Sequence, residues 1–151
     1  MPLYNPSFVA GGDIFPASFV TVTGEFTVSQ VSANTEPIIG VAQEGTFDPP
    51  NLATLLGGTE SKLAAKEGRT LKVFGLGDVC MVRSSGNITA GSKVRTYTGG
   101  TGNNATLNGG AITIGTTAGT YQVGGTALNT VVAGEKVLIQ VNPHVVVIPA
   151  V

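Results

Sequence analysis

Apolar and polar residues alternate with a period of two along most of this chain, which predicts β-strands. Between Phe19 and Val31, phenylalanine and valine alternate with threonine and serine, and Thr23-Gly24-Glu25 divides this run into the two arms of a predicted hairpin. The same pattern predicts about ten short strands, spaced roughly 8–12 residues apart and separated by glycine-rich turns. Further strands are predicted within 38–45, 66–82, 84–94, 111–128 and 137–151.

Turn residues divide these later segments into hairpins. Gly75–Asp78 predicts a turn between two strands, and Gly91 predicts another turn within 84–94. The closing stretch, Val137–Val151, contains the single histidine, and we predict that it forms a terminal hairpin turning at Asn142-Pro143, with His144 beside the turn. Residues 133–148 are similar in pattern to residues 67–82, which indicates either a duplication or simply two similar hairpins.

Three segments depart from the strand pattern. Residues 1–12 carry two prolines and a glycine pair without any period, which predicts an extended N-terminal arm. An insert at 47–61 opens with Pro49-Pro50 and has leucines at helical spacing, so it predicts at most one short helical turn. A loop rich in glycine, asparagine and threonine is predicted at 98–110. The fold class is therefore all-β, with residues 13–151 forming a single compact barrel or sandwich of short antiparallel strands.

Composition narrows the classes of partner. Charged residues make up 11% of the 151 residues, against about 25% in an average soluble protein, and the net charge is −1. The scattered basic residues give no electrostatic footprint for nucleic acid. The longest apolar run is far shorter than the ~20 residues of a membrane-spanning helix, so no membrane partner is expected. A surface this poor in charge is typical of a protein that neighbours cover.

The sequence also argues against an enzyme. No serine lies in a G-x-S-x-G turn, so His144 has no candidate nucleophile to activate. Cys80 lies in an apolar run that predicts a buried structural thiol. One histidine and one cysteine exclude the usual zinc patterns. Gly100-Thr-Gly102 matches part of a dinucleotide fingerprint, but strand-like residues follow where a helix is needed. We therefore predict no catalytic residue, no cofactor site and no metal site.

The order of several phrases resembles the decoration, or cement, proteins of tailed-bacteriophage capsids. The phrases are GGDIFPASFVTVTGEFTVSQVSANTEPIIGVAQEG at 11–45, GDVCMVRSSGNITAGSKV at 77–94 and AGEKVLIQVNP at 133–143. They are distributed along most of residues 10–142. The insert at 47–61 and the loop at 98–110 depart from the compact family pattern.

The resemblance implies a structural role on the virion. A protein of this family would be made in the host cytoplasm and would bind the outer surface of an icosahedral head at threefold and quasi-threefold positions. Its partners would be the major capsid protein, whose neighbouring subunits it clamps, and further copies of itself in a homotrimer. We predict Leu3, Tyr4 and Phe8 of the arm as capsid contacts, because exposed apolar groups usually seek a surface.

A β-sandwich module that binds a ligand, such as a carbohydrate-binding or tail-fibre domain, is the alternative. Such a module needs exposed aromatic rings to stack on sugars. The chain has no tryptophan and three tyrosines, namely Tyr4, Tyr97 and Tyr121.

Overall fold

The computed structural model describes residues 7–42, 65, 67–99 and 109–151. Within these residues there are eleven strands in two sheets and no helix, so the all-β prediction is confirmed, and the sheets do not form a closed barrel. The strands are β1 Phe8–Ala10, β2 Phe19–Gly24, β3 Thr27–Gln30, β4 Gly40–Ala42, β5 Thr70–Leu71, β6 Val73–Phe74, β7 Val79–Arg83, β8 Lys93–Thr96, β9 Ala111–Thr113, β10 Gly119–Ala127 and β11 Lys136–Ile148.

The first sheet has the strand order β5-β1-β3-β2-β4-β6. The predicted hairpin at Thr23-Gly24-Glu25 is confirmed as the connection between β2 and β3, whose register shifts between Val22 and Gly24. The pair β1–β3 is parallel, which corrects the expectation of purely antiparallel strands, and the other pairs of this sheet are antiparallel.

The two edges of the first sheet belong to one short piece of chain. Strands β5 and β6 are separated by Lys72 alone, yet β5 pairs with β1 while β6 pairs with β4 at the opposite edge. The sheet therefore curls around a core to which all six strands contribute. The buried residues of this inner core are Ala10, Ile14, Val20, Val28, Ala42, Ala65, Leu71 and Val73.

The second sheet has the order β7-β11-β10-β8-β9 and is antiparallel throughout. One face packs against the first sheet around Phe19, which is completely buried; burying such a side chain stabilises the fold by about 1.5–3 kcal/mol. Gly124 of β10 lies against this ring, since a Cβ there would be 2.4 Å from Phe19 Cε1. The buried residues shared by the two sheets are Phe19, Val31, Ile38, Val41, Cys80, Val82, Ile88, Val94, Ala111, Ala127, Val131, Val137, Ile139 and Val141.

Two of the later hairpin predictions are wrong. The turn at Gly75–Asp78 exists, with Gly77 at φ 89° and the Gly75 amide donating to Asp78 Oδ2 at 2.9 Å. However, β6 before it belongs to the first sheet and β7 after it to the second. Likewise Gly91 has a positive φ of 88°, but β7 and β8 on either side of that segment are not neighbours in their sheet. Turn chemistry reverses the chain locally and does not determine which strands then pair.

The terminal hairpin prediction is also wrong. The chain does not turn at Asn142-Pro143, because β11 runs through both residues and pairs with β10 on either side of them. The register shifts here, so that Asn142 and Pro143 stand opposite the single residue Gly124. A bulge of this kind accommodates a proline, which has no amide hydrogen to give to the ladder. His144 therefore lies within a strand.

The beginning of the described chain joins the first sheet directly. Phe8–Ala10, which the sequence assigns to the extended arm, forms β1. The insert at 47–61 and most of the loop at 98–110 lie outside the described residues. No helix in the described ranges is long and apolar enough to cross a membrane.

A methyl group at Gly40 tests the close approach of β4 and β6. A Cβ at this position would lie 2.1 Å from the Phe74 carbonyl oxygen and 2.7 Å from Val73 Cγ1. Because the clash involves backbone, we expect Gly40→Ala to lower the free energy of unfolding by about 1–3 kcal/mol, measured by urea denaturation. Gly12→Ala is the control, since no atom lies within 4 Å of its added Cβ. Equal stability of the two variants would contradict the described packing.

Candidate interaction surface

The outer face of the second sheet carries apolar side chains that the described chain does not cover. In β7, Cys80 and Val82 point into the core, whereas Val79 and Met81 are 52% and 51% exposed. β11 also has apolar residues on both faces, with Leu138 between the buried Val137 and Ile139. Strands that are apolar on both faces are typical of sheets covered on both sides. Within the described residues, this sheet is covered on one side.

These outward side chains lie beside one another across three strands. Met81 pairs with Leu138 in the ladder between β7 and β11, and the Leu128 amide donates to the Leu138 carbonyl oxygen at 2.8 Å. Leu128 is 47% exposed and follows the last residue of β10. Met81, Leu138 and Leu128, together with Val79 one pleat further along β7, are called the outer apolar row. The row contains no charged residue.

Arg83 continues β7 but turns its charge away from the outer apolar row. Its guanidinium carbon lies 5.5 Å from the centroid of the Phe15 ring, and Nη2 donates to Ser18 Oγ at 3.4 Å. Burial lowers the pKa of Arg83. The Arg83 amide also donates to the Ala17 carbonyl oxygen at 2.9 Å. Arg83 therefore links the edge of the second sheet to the first.

Cys80 is confirmed as a buried thiol. Its side chain is 7% exposed and belongs to the core shared by the two sheets. Burial, and to a smaller extent the charge of Asp78, raises the pKa of Cys80 from 9.0 to about 11. Since the thiolate is the nucleophilic form, this environment makes a poor nucleophile.

The ring of His144 is held by two hydrogen bonds within the chain. Its Nδ1 donates to the Asn142 carbonyl oxygen at 2.6 Å, and its Nε2 accepts from Lys93 Nζ at 3.0 Å. Both ring nitrogens thus have protein partners, and neither partner is a hydroxyl or a carboxylate. Among the described residues, no cluster of three histidine, cysteine, aspartate or glutamate side chains has the arrangement to hold a metal ion.

A small depression with a mixed apolar and polar lining lies where the segment 31–38 meets strands β8 and β10. Its lining includes Asn34, Glu36, Arg95, Thr96 and Tyr121. The Arg95 guanidinium stacks 5.7 Å from the Tyr121 ring centroid, and the Tyr121 hydroxyl donates to the Thr117 carbonyl oxygen at 2.8 Å. One face of this ring is therefore already occupied by a cation of the protein itself.

Of the three residues predicted as capsid contacts, the structure describes Phe8. Leu3 and Tyr4 lie outside the described residues. Phe8 lies in β1, where it pairs with Leu71 and packs half-buried against the inner core. Its contact with a capsid stays a prediction. Sequence reasoning missed the outer apolar row, although the unbroken apolar runs VCMV and VLI carried the signal of strands with two apolar faces.

Comparison with known proteins gives similarity at the level of the fold. No protein-family model matches this chain, and no curated protein is significantly similar to it. Among solved structures, the N base of the head fiber gp8.5 of bacteriophage phi29 overlaps with the fold at a TM-score of 0.49 and 12% sequence identity. The overlap covers 92% of this chain and 93% of that chain. At this identity and TM-score the similarity carries no argument about function.

The raised pKa of Cys80 predicts a dependence of stability on alkaline pH. The unfolded thiol ionises near 9.0, whereas the folded thiol stays protonated until about 11. Stability contributed by Cys80 is therefore complete below pH 9 and is lost as pH rises through 11. Between these values, we expect the free energy of unfolding, measured by urea denaturation, to fall more steeply for the native protein than for Cys80→Ala. Parallel pH profiles would contradict the assignment.

Proposed function

We propose that this chain is a structural decoration protein of a tailed-phage head. In this proposal it binds the outer surface of the capsid at threefold and quasi-threefold positions and holds neighbouring major capsid subunits together, as a homotrimer and without catalytic activity. Two independent features support it. The order of sequence phrases at 11–45, 77–94 and 133–143 resembles the cement proteins of such heads, and the second sheet presents the uncharged outer apolar row.

The outer apolar row is the observation that carries the proposal. Four adjacent apolar side chains on a rigid sheet form a surface whose burial contributes about 25 cal/mol for each Å² removed from water. The sheet behind it is held by the shared core, so little conformational entropy is lost when a partner covers it. A contact that exists only on the assembled shell stabilises that shell by mass action.

The N-terminal residues form the second part of the proposed contact. Strand β1 anchors the chain in the first sheet from Phe8 onward. Leu3 and Tyr4, which precede this anchor in the sequence, keep their proposed role as capsid contacts. A terminal segment adds affinity when it pairs with a strand edge of its partner.

The first experiment measures binding to capsids. Purified protein is mixed with undecorated phage capsids and sedimented, and we expect saturable co-sedimentation of the native chain. We expect Met81→Asp to bind at least about tenfold more weakly, because an unpaired carboxylate would be buried in the interface. Val22→Asp is the matched control, since Val22 is also 51% exposed but lies in the first sheet.

The outcomes separate the two functional classes. Equal capsid binding by Met81→Asp and Val22→Asp would show that the outer apolar row is not the contact. Binding of the native chain to polysaccharide but not to capsids would overturn the proposal in favour of a ligand-binding module. The stacking of Arg95 on Tyr121 makes that second outcome the less expected one.

A truncation tests the N-terminal contact separately. Removing residues 1–6 deletes Leu3 and Tyr4 and leaves all of β1. We expect capsid binding roughly tenfold weaker, by loss of two apolar anchors. The thermal midpoint measured without capsids is the control for folding. Unchanged capsid binding would remove Leu3 and Tyr4 from the contact.

A further inference from the structure

The hairpin of β10 and β11 extends beyond the sheet to which it belongs. β7 pairs with β11 as far as Gln140, and β8 pairs with β10 as far as Val123. Past these points Gly119–Gln122 pairs with Val145–Ile148 alone, and we call this part the terminal ribbon. Within the described chain, both long edges of the terminal ribbon are unpaired.

One face of the terminal ribbon is uncharged and carries two valines that are open to solvent. Val145 and Val147 are 54% and 66% exposed, and they stand opposite Gln122 and Thr120 in the ladder. No residue in 119–122 or 145–151 is charged. The two cations beside the ribbon contact its other face. Lys93 donates a hydrogen bond to His144. Arg95 stacks on Tyr121, which pairs with Val146 and shares that face with it.

A two-stranded ribbon of this kind has little stability of its own when no further strand or apolar surface covers it. A two-stranded hairpin is at best marginally stable, and three or more strands with a covered apolar face are needed for independent stability. Natural sheet edges that stay unpaired are usually protected by charged side chains or by being very short or bulged. The four residue pairs of the terminal ribbon, beyond the bulge, have no charge. The missing partner therefore has to supply strands as well as apolar surface.

We infer that the terminal ribbon of a second copy of this chain is that partner. A second copy brings two strands of matching length, and its lack of charge means that no like charges meet when identical surfaces approach. The free edges belong to different strands, so the β10 edge of one copy lies beside the β11 edge of the next. Every neighbouring pair then stays antiparallel, and the contact is head-to-tail.

Head-to-tail contacts close into a ring when the rotation between copies divides a full turn. Three copies give six antiparallel strands, with Val145 and Val147 of each copy facing the common axis. This inference rests on the homotrimer of the proposed function and adds the surface that forms it. It requires no capsid, so it is tested on the purified full-length chain.

The experiment measures molecular mass in solution by light scattering after size exclusion, over a range of concentrations. We expect the native chain to have three times the 15.2 kDa mass of one copy. The double variant Val145→Asp/Val147→Asp would dissociate to single copies, with an apparent dissociation constant raised roughly 100-fold or more by the buried carboxylates. Val22→Asp is the matched control and keeps the native mass.

A cross-link tests the contact without adding charge. Val147→Cys is expected to form a disulfide-linked pair of chains under mild oxidation, because three copies of residue 147 would surround one axis. Val22→Cys has a similar exposure and is expected to stay a single chain. The native chain is the control for Cys80, which is buried.

Two results would overturn the inference. One is a native chain that remains at 15.2 kDa at every concentration. The other is the pair of results in which Val145→Asp/Val147→Asp keeps the oligomeric mass and Val147→Cys does not cross-link. That pair would show that the chain is a homotrimer whose interface is not the terminal ribbon. Absence of capsid binding by a native trimer would instead reject the proposed decoration role and leave the ribbon contact standing.

Discussion

Phe19 and Val20 are consecutive residues that are both completely buried, and the rest of the structure depends on this double burial. They point to opposite faces of β2, so the first sheet needs a core on each side. The inner core is enclosed when the segment 70–74 pairs with both edges of the sheet. The second sheet covers the Phe19 face. Gly124 lies where the ring leaves no room for a Cβ.

The second sheet also has apolar residues on both faces, but within the described chain only one of its faces is covered by a core. Strands β7 and β11 carry apolar residues on both faces, as β2 does, but within the described chain nothing packs on the outward Met81 and Leu138. The outer apolar row and the terminal ribbon are the two places where this leaves apolar side chains in water. They lie on different parts of one sheet, so the proposed capsid contact and the proposed contact between copies use separate surfaces.

Local features of the fold were predictable from sequence, and long-range ones were not. The hairpin at Thr23–Glu25 and the turn glycines at 77 and 91 follow from turn chemistry, which acts over a few residues. The assignment of β6 and β7 to different sheets does not, because it depends on cores built from distant segments. The candidate surface was likewise predictable only in part. Two-faced apolar strands were visible in the sequence, but which face stays uncovered was not.

The sequence by itself determined the all-β class, the positions of most turns and a surface poor in charge, because alternation and turn preference are properties of neighbouring residues. Only the tertiary structure decided that β11 continues through Asn142-Pro143, since a bulge opposite Gly124 and pairing with β10 on both sides compensate for the proline. The same pairing carries Val145 and Val147 past the end of the sheet. Their exposure is set by where the neighbouring strands stop, which no local pattern in β11 encodes.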